Sequence, residues 1–185
     1  MKQLAVVMAA CVLAACSSEP TIQTGPDAET TFDGLVRIDN SRFANAWIDP
    51  DVNLKQYTKI IPSRAEFEFR AVKEGPRSTS QRRSLNNSSE FWISPANRER
   101  LVTEVSDVFR DELSNLNSFT ITDEPGPDTL IVVGTLHDIV SNVPPDMIGR
   151  GEIFISSVGE ATLVLELRDS LSGETIYRAV DRRRA

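Results

Sequence analysis

The sequence predicts a single α+β domain: an antiparallel-rich sheet with one main helix packed on it. Three observations predict this. Val102, Val105, Phe109, Leu113 and Leu116 recur at helical spacing. Leu130 to Val140 begins as a continuous apolar run and then alternates, as a central strand does. Ala161, Leu163, Leu165 and Leu167 alternate ahead of Ser170-Leu171-Ser172-Gly173, a hairpin loop with Gly available for positive φ, and 175–183 returns as the partner strand.

Taken in order, the chain opens with Lys2 and then an uncharged apolar run from Leu4 to Ala15. That length suits a signal peptide and is short of the ~20 residues that span a bilayer. Residues 16–31 are rich in Ser, Thr, Pro and acid, with Ile22 the only large apolar side chain, and read as a disordered tether. As a flexible coil it would set the domain about 20 Å from its anchor, at roughly 5–6 Å × √n. The domain is expected over 32–185. Leu35, Phe43, Trp47 and Ile48 read as a packed lead-in without regular structure. Tyr57 to Phe69 is β-type but interrupted by Pro62, hence an edge or bulged strand. Lys73 to Ser89 is a long polar loop. Ser94 is the candidate N-cap and Pro95 fits the first position of a helix over 95–116, with Leu101 and Val108 widening its apolar stripe. Phe119 to Thr122 is a short strand, Pro144 to Gly151 a second loop, and 152–169 a long strand region.

Leu13-Ala14-Ala15-Cys16 resembles the lipobox of bacterial lipoproteins. The resemblance implies that Leu13, Ala14 and Ala15 are recognised by the signal peptidase. It further implies that the Cys16 sulfur carries diacylglycerol and the freed amine an acyl chain such as palmitate. By the same resemblance, Ser17 favours export to the outer membrane over retention at the inner one. Segments within the domain also resemble a family: Trp47-Ile48-Asp49-Pro50, Tyr57-Thr58-Lys59-Ile60, Gly159-Glu160-Ala161-Thr162, the hairpin from Leu165 through Glu174, and Val180-Asp181-Arg182-Arg183. They are similar to the bacterial lipoprotein family called domain of unknown function 3313, over roughly 32–185. That family brings no catalytic motif. Its members usually continue into a further helical segment, whereas this chain stops at Ala185, so it is either a short member lacking that C-terminal helix or a truncated one.

The charge of −7 includes Lys2, so removing residues 1–15 leaves about −8. An acidic domain lacks the basic footprint of nucleic-acid binding. Cys16 is the sole cysteine after that removal, which excludes a disulfide, a thiol nucleophile and a Cys-ligated metal once its sulfur is lipidated. His137 is the only histidine and no Gly-x-Ser-x-Gly elbow accompanies it, so it reads as an ordinary strand residue. Asp49-Pro50-Asp51-Val52-Asn53 starts like a calcium loop, but Leu54 replaces the required Gly and Ile60 the bidentate Glu, leaving a turn. Gly149-Arg150-Gly151 lacks its third Gly at Phe154. Asn97 to Leu101 faintly resembles the peptidoglycan-binding helix of OmpA-like proteins, without the strand signature that precedes it. Trp47 and Trp92 are expected in the core or at its rim. Arg77, Arg82 and Arg83 sit in the long polar loop, which reads first as a solvated, mobile segment; contact with an anionic partner such as lipopolysaccharide or peptidoglycan is the alternative.

The expectation is therefore a non-enzymatic, lipid-anchored envelope protein on the periplasmic face of the outer membrane. It would be attached through Cys16, need no cofactor or metal, and act through an envelope protein partner. The alternatives are a binding module for an envelope glycan or lipid, and a carboxylate-based hydrolase.

Overall fold

The computed structural model describes residues 19–72, 90–142 and 158–184. Among the described residues nine strands form one sheet: β1 (Thr21–Ile22), β2 (Val36–Asp39), β3 (Asn45–Ile48), β4 (Lys59–Pro62), β5 (Glu66–Phe69), β6 (Thr120–Ile121), β7 (Thr129–Ser141), β8 (Gly159–Asp169) and β9 (Thr175–Arg184). The helix α1 spans Pro95–Ser114, and a 3₁₀ turn covers Leu54–Gln56. The order is β1-β2-β3-β9-β8-β7-β4-β6, with β5 also on β7. The predicted fold class holds. Among the described residues the sheet is antiparallel from β1 to β7, and β4, β5 and β6 add parallel pairs beyond β7.

The long strands β7, β8 and β9 are the frame. Leu130, Val132, Gly134 and Leu136 of β7 stand opposite Asp169, Leu167, Leu165 and Leu163 of β8. Because side chains alternate, the leucines of β8 share one face with Val132 and Gly134. On that face Leu130, Val132, Tyr57, Ile60, Leu113 and Ile176 form the core, with Phe109, Leu165 and Leu167 packed on it. The helix lies there because parallel strands on β7 need a crossover, and the chain from β5 to β7 makes it through α1. A Cβ on Gly134 would sit 3.1 Å from Phe109 Cζ, so glycine lets the aromatic ring reach the sheet.

The start of α1 is as predicted. Ser94 Oγ accepts a hydrogen bond from the Asn97 N–H at 3.3 Å, and Pro95 begins the helix. Its apolar stripe is narrower than expected. Leu113 is buried and Leu101, Val102, Val105 and Phe109 are half-buried, but Val108 and Leu116 face solvent. The helix ends at Ser114, capped by Asn115, so Leu116 falls outside it.

The interrupted strand 57–69 resolves into β4 and β5, laid end to end along β7. Pro62 closes β4, and the Ser63 N–H donates to Val132 O at 2.9 Å to carry the chain on. Two readings of the N-terminal region are corrected. The lead-in 35–48 contains β2 and β3. Val36 pairs with Ile48 and Arg37 with Trp47, an alternation only four residues long that composition hides. The expected tether 16–31 is tied down from Thr21 onward. Ile22 pairs with Ile38, the Gln23 N–H donates to Arg37 O at 2.9 Å, and the Arg37 N–H to Glu29 O at 2.9 Å. The Gln23 amide itself donates to Asp39 at 2.9 Å and accepts from the Glu29 N–H at 2.8 Å. Polar and backbone bonds hold this segment, and a count of apolar residues is blind to them.

The Gly134–Phe109 contact is directly testable. Gly134→Val should destabilise the domain by about 2 kcal/mol through overpacking, with the penalty smaller in a Phe109→Ala background. Urea unfolding of the four variants measures this, and strict additivity would show that the ring does not rest on Gly134.

Candidate functional site

The lipidation and recognition residues Leu13, Ala14, Ala15, Cys16 and Ser17, and the loop arginines Arg77, Arg82 and Arg83, lie outside the described residues. What the structure brings together is a set of charges on the sheet face away from α1. Even-numbered positions of β8 and β9 point there: Glu160, Glu166, Arg168, Arg178, Arg182 and Arg184. Two arginine-centred networks result.

The first is centred on Arg178. Its Nη1 and Nη2 donate to the two oxygens of Asp33 at 3.1 and 2.7 Å, a bidentate pair. Its Nε donates to Glu166 Oε1 at 2.7 Å, and Arg168 holds the other Glu166 oxygen at 3.0 Å through Nε. The Arg178 guanidinium also stacks 5.5 Å from the Phe32 ring centroid. Phe32, the expected first residue of the domain, is 95% exposed, so its ring is a solvent-facing neighbour of Arg178 rather than a core anchor. Next along the row, the Arg37 guanidinium lies 5.2 Å from the Trp47 ring centroid. Trp47 is half-buried there, at the rim as expected.

The second network closes the far end of β5, β7, β8 and β9. Asp138 has φ of 59°, and the β7–β8 register shifts between His137 and Val140. This bulge turns the Asp138 carboxylate to Arg70, which grips it bidentately, with Nε to Oδ1 at 2.6 Å. Aspartate tolerates a left-handed backbone better than most side chains, which suits it to the position. Arg70 also pairs with Glu90 and donates to Glu160 at 3.3 Å. Glu160 in turn accepts from Arg182 at 2.8 Å and Arg184 at 3.3 Å. The Arg70–Glu90 pair thus ties the residue after β5 to the residue before Phe91.

The electrostatics are uniform. The Arg178 hydrogen bonds hold Asp33 down at about 2 against opposing desolvation. Arg70 lowers Asp138, and Arg182 with Arg184 lowers Glu160. Burial works to raise Glu166, but its bonds to Arg178 and Arg168 outweigh that and leave it lowered. These carboxylates stay ionised and the arginines stay charged. Such groups can bind and position ions; a carboxyl general acid would need the opposite shift.

His137 is an ordinary residue of β7, its Nδ1 2.6 Å from Glu68 Oε2 on the outer face. The 49–53 segment is a turn. Asp49 Oδ1 accepts from the Asp51 N–H at 2.9 Å, and Asn53 Oδ1 from the Lys55 N–H at 3.2 Å. No group of three or more His, Cys, Asp or Glu side chains arranged for a metal occurs among the described residues.

At the opposite end of the sheet, several of the family-like residues meet. Asp169 Oδ1 accepts from the N–H groups of Leu171 and Ser172 at 3.0 and 2.8 Å, while Oδ2 accepts from the Tyr57 hydroxyl at 2.9 Å. Ser170 Oγ donates to Gly126 O and accepts from its N–H, and Gly173 supplies the positive φ of 75° that closes the β8–β9 turn. The family model described as protein of unknown function (DUF3313) matches residues 30–185. The chain belongs to the DUF3313 family. Its match begins at the Thr30–Val36 bridge and takes in β2 through β9, so the whole charged face lies on the DUF3313 domain. No curated protein and no solved structure matches the chain.

Sequence reasoning missed Arg70, Asp138, Asp33, Glu166 and Arg178 as a set. The available signal was the charge alternation opposite the leucines of β8. It could not show that Asp33, 145 residues earlier, comes to Arg178.

Arg178→Met should cost about 2 kcal/mol near neutral pH, because it takes the bidentate guanidinium from Asp33 and leaves Glu166 with Arg168 alone. Asp33 is lowered from 3.8 to about 2, so its share of stability is present above pH 3.8 and lost as pH falls toward 2. The difference between wild type and variant should therefore shrink across that window. A urea titration series against pH checks this, and a pH-independent difference would assign the loss to packing.

Proposed function

We propose that this DUF3313 protein is a lipid-anchored envelope component of the periplasmic face of the outer membrane, acting through protein contacts rather than catalysis. The observation that carries the reading is Leu13-Ala14-Ala15-Cys16 at the end of an apolar run only about a dozen residues long. Two acyl chains or more at Cys16 would give stable attachment where one chain gives only marginal binding. No helix among the described residues is long and apolar enough to cross a membrane, so the lipid would supply the hold among those segments. The contact reading draws support from the carboxylates, which are held ionised and saturated by arginine. Phe32 supplies an exposed aromatic beside a charged row, the kind of side chain that anchors protein interfaces.

A second reading, recognition of an envelope glycan or lipid, is favoured by the exposed Arg182, Arg183 and Arg184 at the end of β9.

Cys16→Ser should move the protein from the membrane fraction to the soluble fraction and block lipoprotein processing. Fractionation together with the mass of the N-terminal peptide reads this. A variant that stayed membrane-bound and was cut at the same place would overturn the anchor. For the contact reading, a photoreactive residue at Phe32 should give one discrete protein adduct in intact cells, and a consistently empty result would count against it.

A further inference from the structure

Residues 19–29 are held to the sheet differently from the chain that follows them. They wrap the outer edge of β2. Ile22 pairs with Ile38 on that edge, the Gln23 N–H donates to Arg37 O and the Arg37 N–H donates to Glu29 O, both at 2.9 Å. Gly25, with φ of 94°, lies in the turn between these contacts. No residue from 19 to 29 is buried, and Ile22, its only large apolar side chain, is 42% exposed. The side-chain bonds are exposed as well. They are the two made by the Gln23 amide, one from Asn40 Nδ2 to Glu19 O at 3.4 Å, and a 3.7 Å pair between Arg37 and Glu29.

The hold changes at Thr30 and Thr31. Thr30 bridges to Val36, and the Thr31 N–H donates to Leu35 O at 2.9 Å. The Thr31 hydroxyl donates to Asp33 at 2.6 Å and accepts from the Leu35 N–H at 3.0 Å. Leu35 is 2% exposed, and Arg178 grips both oxygens of Asp33. From here the chain is fixed by burial and by a bidentate ion pair. The family match also begins at residue 30, so 19–29 lies outside the matched domain.

A segment with exposed hydrogen bonds and no buried apolar contact opens locally at a small fraction of the free energy that unfolds a domain. Water replaces its exposed polar bonds on opening, so each contributes little. Opening bares the Arg37 N–H and C=O on a strand edge, the template to which the same segment returns. The two states differ in reach. Closed, the five Cα steps from Cys16 to Thr21 span at most about 18 Å. Open, the fourteen steps from Cys16 to Thr30 span at most about 50 Å.

We propose that residues 19–29 are a releasable strap: closed, they supply the outermost strand of the sheet; open, they become extra linker between Cys16 and a domain that stays folded from Thr30 onward. The gain in reach rests on the Cys16 anchor proposed above. The opening itself rests only on how the segment is held. A lipid-anchored domain built this way sits close to its membrane at rest and extends to a partner beyond that distance without unfolding.

The test uses the full-length lipoprotein purified with its lipid. Amide hydrogen exchange in detergent micelles, read by NMR, compares the Gln23 and Arg37 N–H groups with those of Thr31 and Ser63, whose acceptors Leu35 O and Val132 O belong to the fixed part. The strap pair should exchange about a hundredfold faster or more, and together. Gln23→Ala removes both amide bonds and should speed Arg37 about tenfold while leaving Ser63 unchanged. Ile22 and Ile38 are direct cross-strand partners, so Ile22→Cys with Ile38→Cys can be bridged by oxidation. The bridge should slow Arg37 to the rate of Thr31, and reduction should restore it. Reach is read by pulling the protein between a supported bilayer and a handle at its C-terminus. One lengthening of up to about 32 Å, nine Cα steps, should precede unfolding of the domain and vanish in the bridged form. Arg37 exchanging in step with Thr31 and Ser63, or at a rate that neither variant changes, would overturn the strap. An open strap with no early lengthening would overturn its use as linker. A protein lacking diacylglycerol on its N-terminal peptide would overturn the anchor alone, because exchange reads the strap without it.

Discussion

The register of β8 between β7 and β9 is the constraint on which the rest of the molecule depends. With a side-chain period of two, a slip of one residue would send Glu166 and Arg168 into the core and Leu165 and Leu167 into water. The turn at Asp169 is what prevents it. One carboxylate oxygen collects the two N–H groups that begin the β8–β9 turn, and the other takes the Tyr57 hydroxyl. A local turn and a contact to the neighbouring 3₁₀ segment are thereby fixed by the same side chain. Leu130 of β7 sits opposite that aspartate, so the register of the central ladder begins at this point.

From that register the two faces acquire different work. The leucine face takes up α1, but only where Phe109 crosses Gly134 and Leu113 enters the core; the earlier turns of the helix cover the sheet with half-buried side chains. The charged face is organised by arginines that each bind more than one carboxylate. Arg178 joins β9 to β8 and to the loop before β2, and Arg70 joins β5 to β7, β8 and the segment ahead of α1. Such bidentate and branched pairs fix geometry as well as energy. They also consume the acid–base capacity of the carboxylates they hold. Asp33, Asp138, Glu160 and Glu166 are thus held ionised.

What the sequence made legible follows from length of pattern. The helix, the central strand and the C-terminal hairpin each repeat their period enough times to be read, and Ser94, Pro95 and Gly173 mark their boundaries with side chains suited to those places. β1, β2 and β3 were not legible, because two to four residues do not establish an alternation and because Gln23 holds the first of them by polar bonds. The parallel pairing of β4 and β5 with β7 was hidden for another reason: strand direction is a property of the crossover, not of the strand's own residues. Val108 and Leu116 are apolar at helical spacing yet exposed, since the helix touches the sheet along a narrower line than its composition allows. The charged clusters were visible only as alternation, as their members come from distant parts of the chain.

That distance has a consequence in time. Asp33 and Arg178 are 145 residues apart, and β3 finds its inner neighbour only in β9. A chain made from its N-terminus exposes β1, β2 and β3 first, and they stay a small meander with an open edge until the residues of β9 exist. The N-terminal part of the sheet is therefore the last to be sealed. The outer edge of β3, the strand that carries Trp47, stays unpaired during that interval.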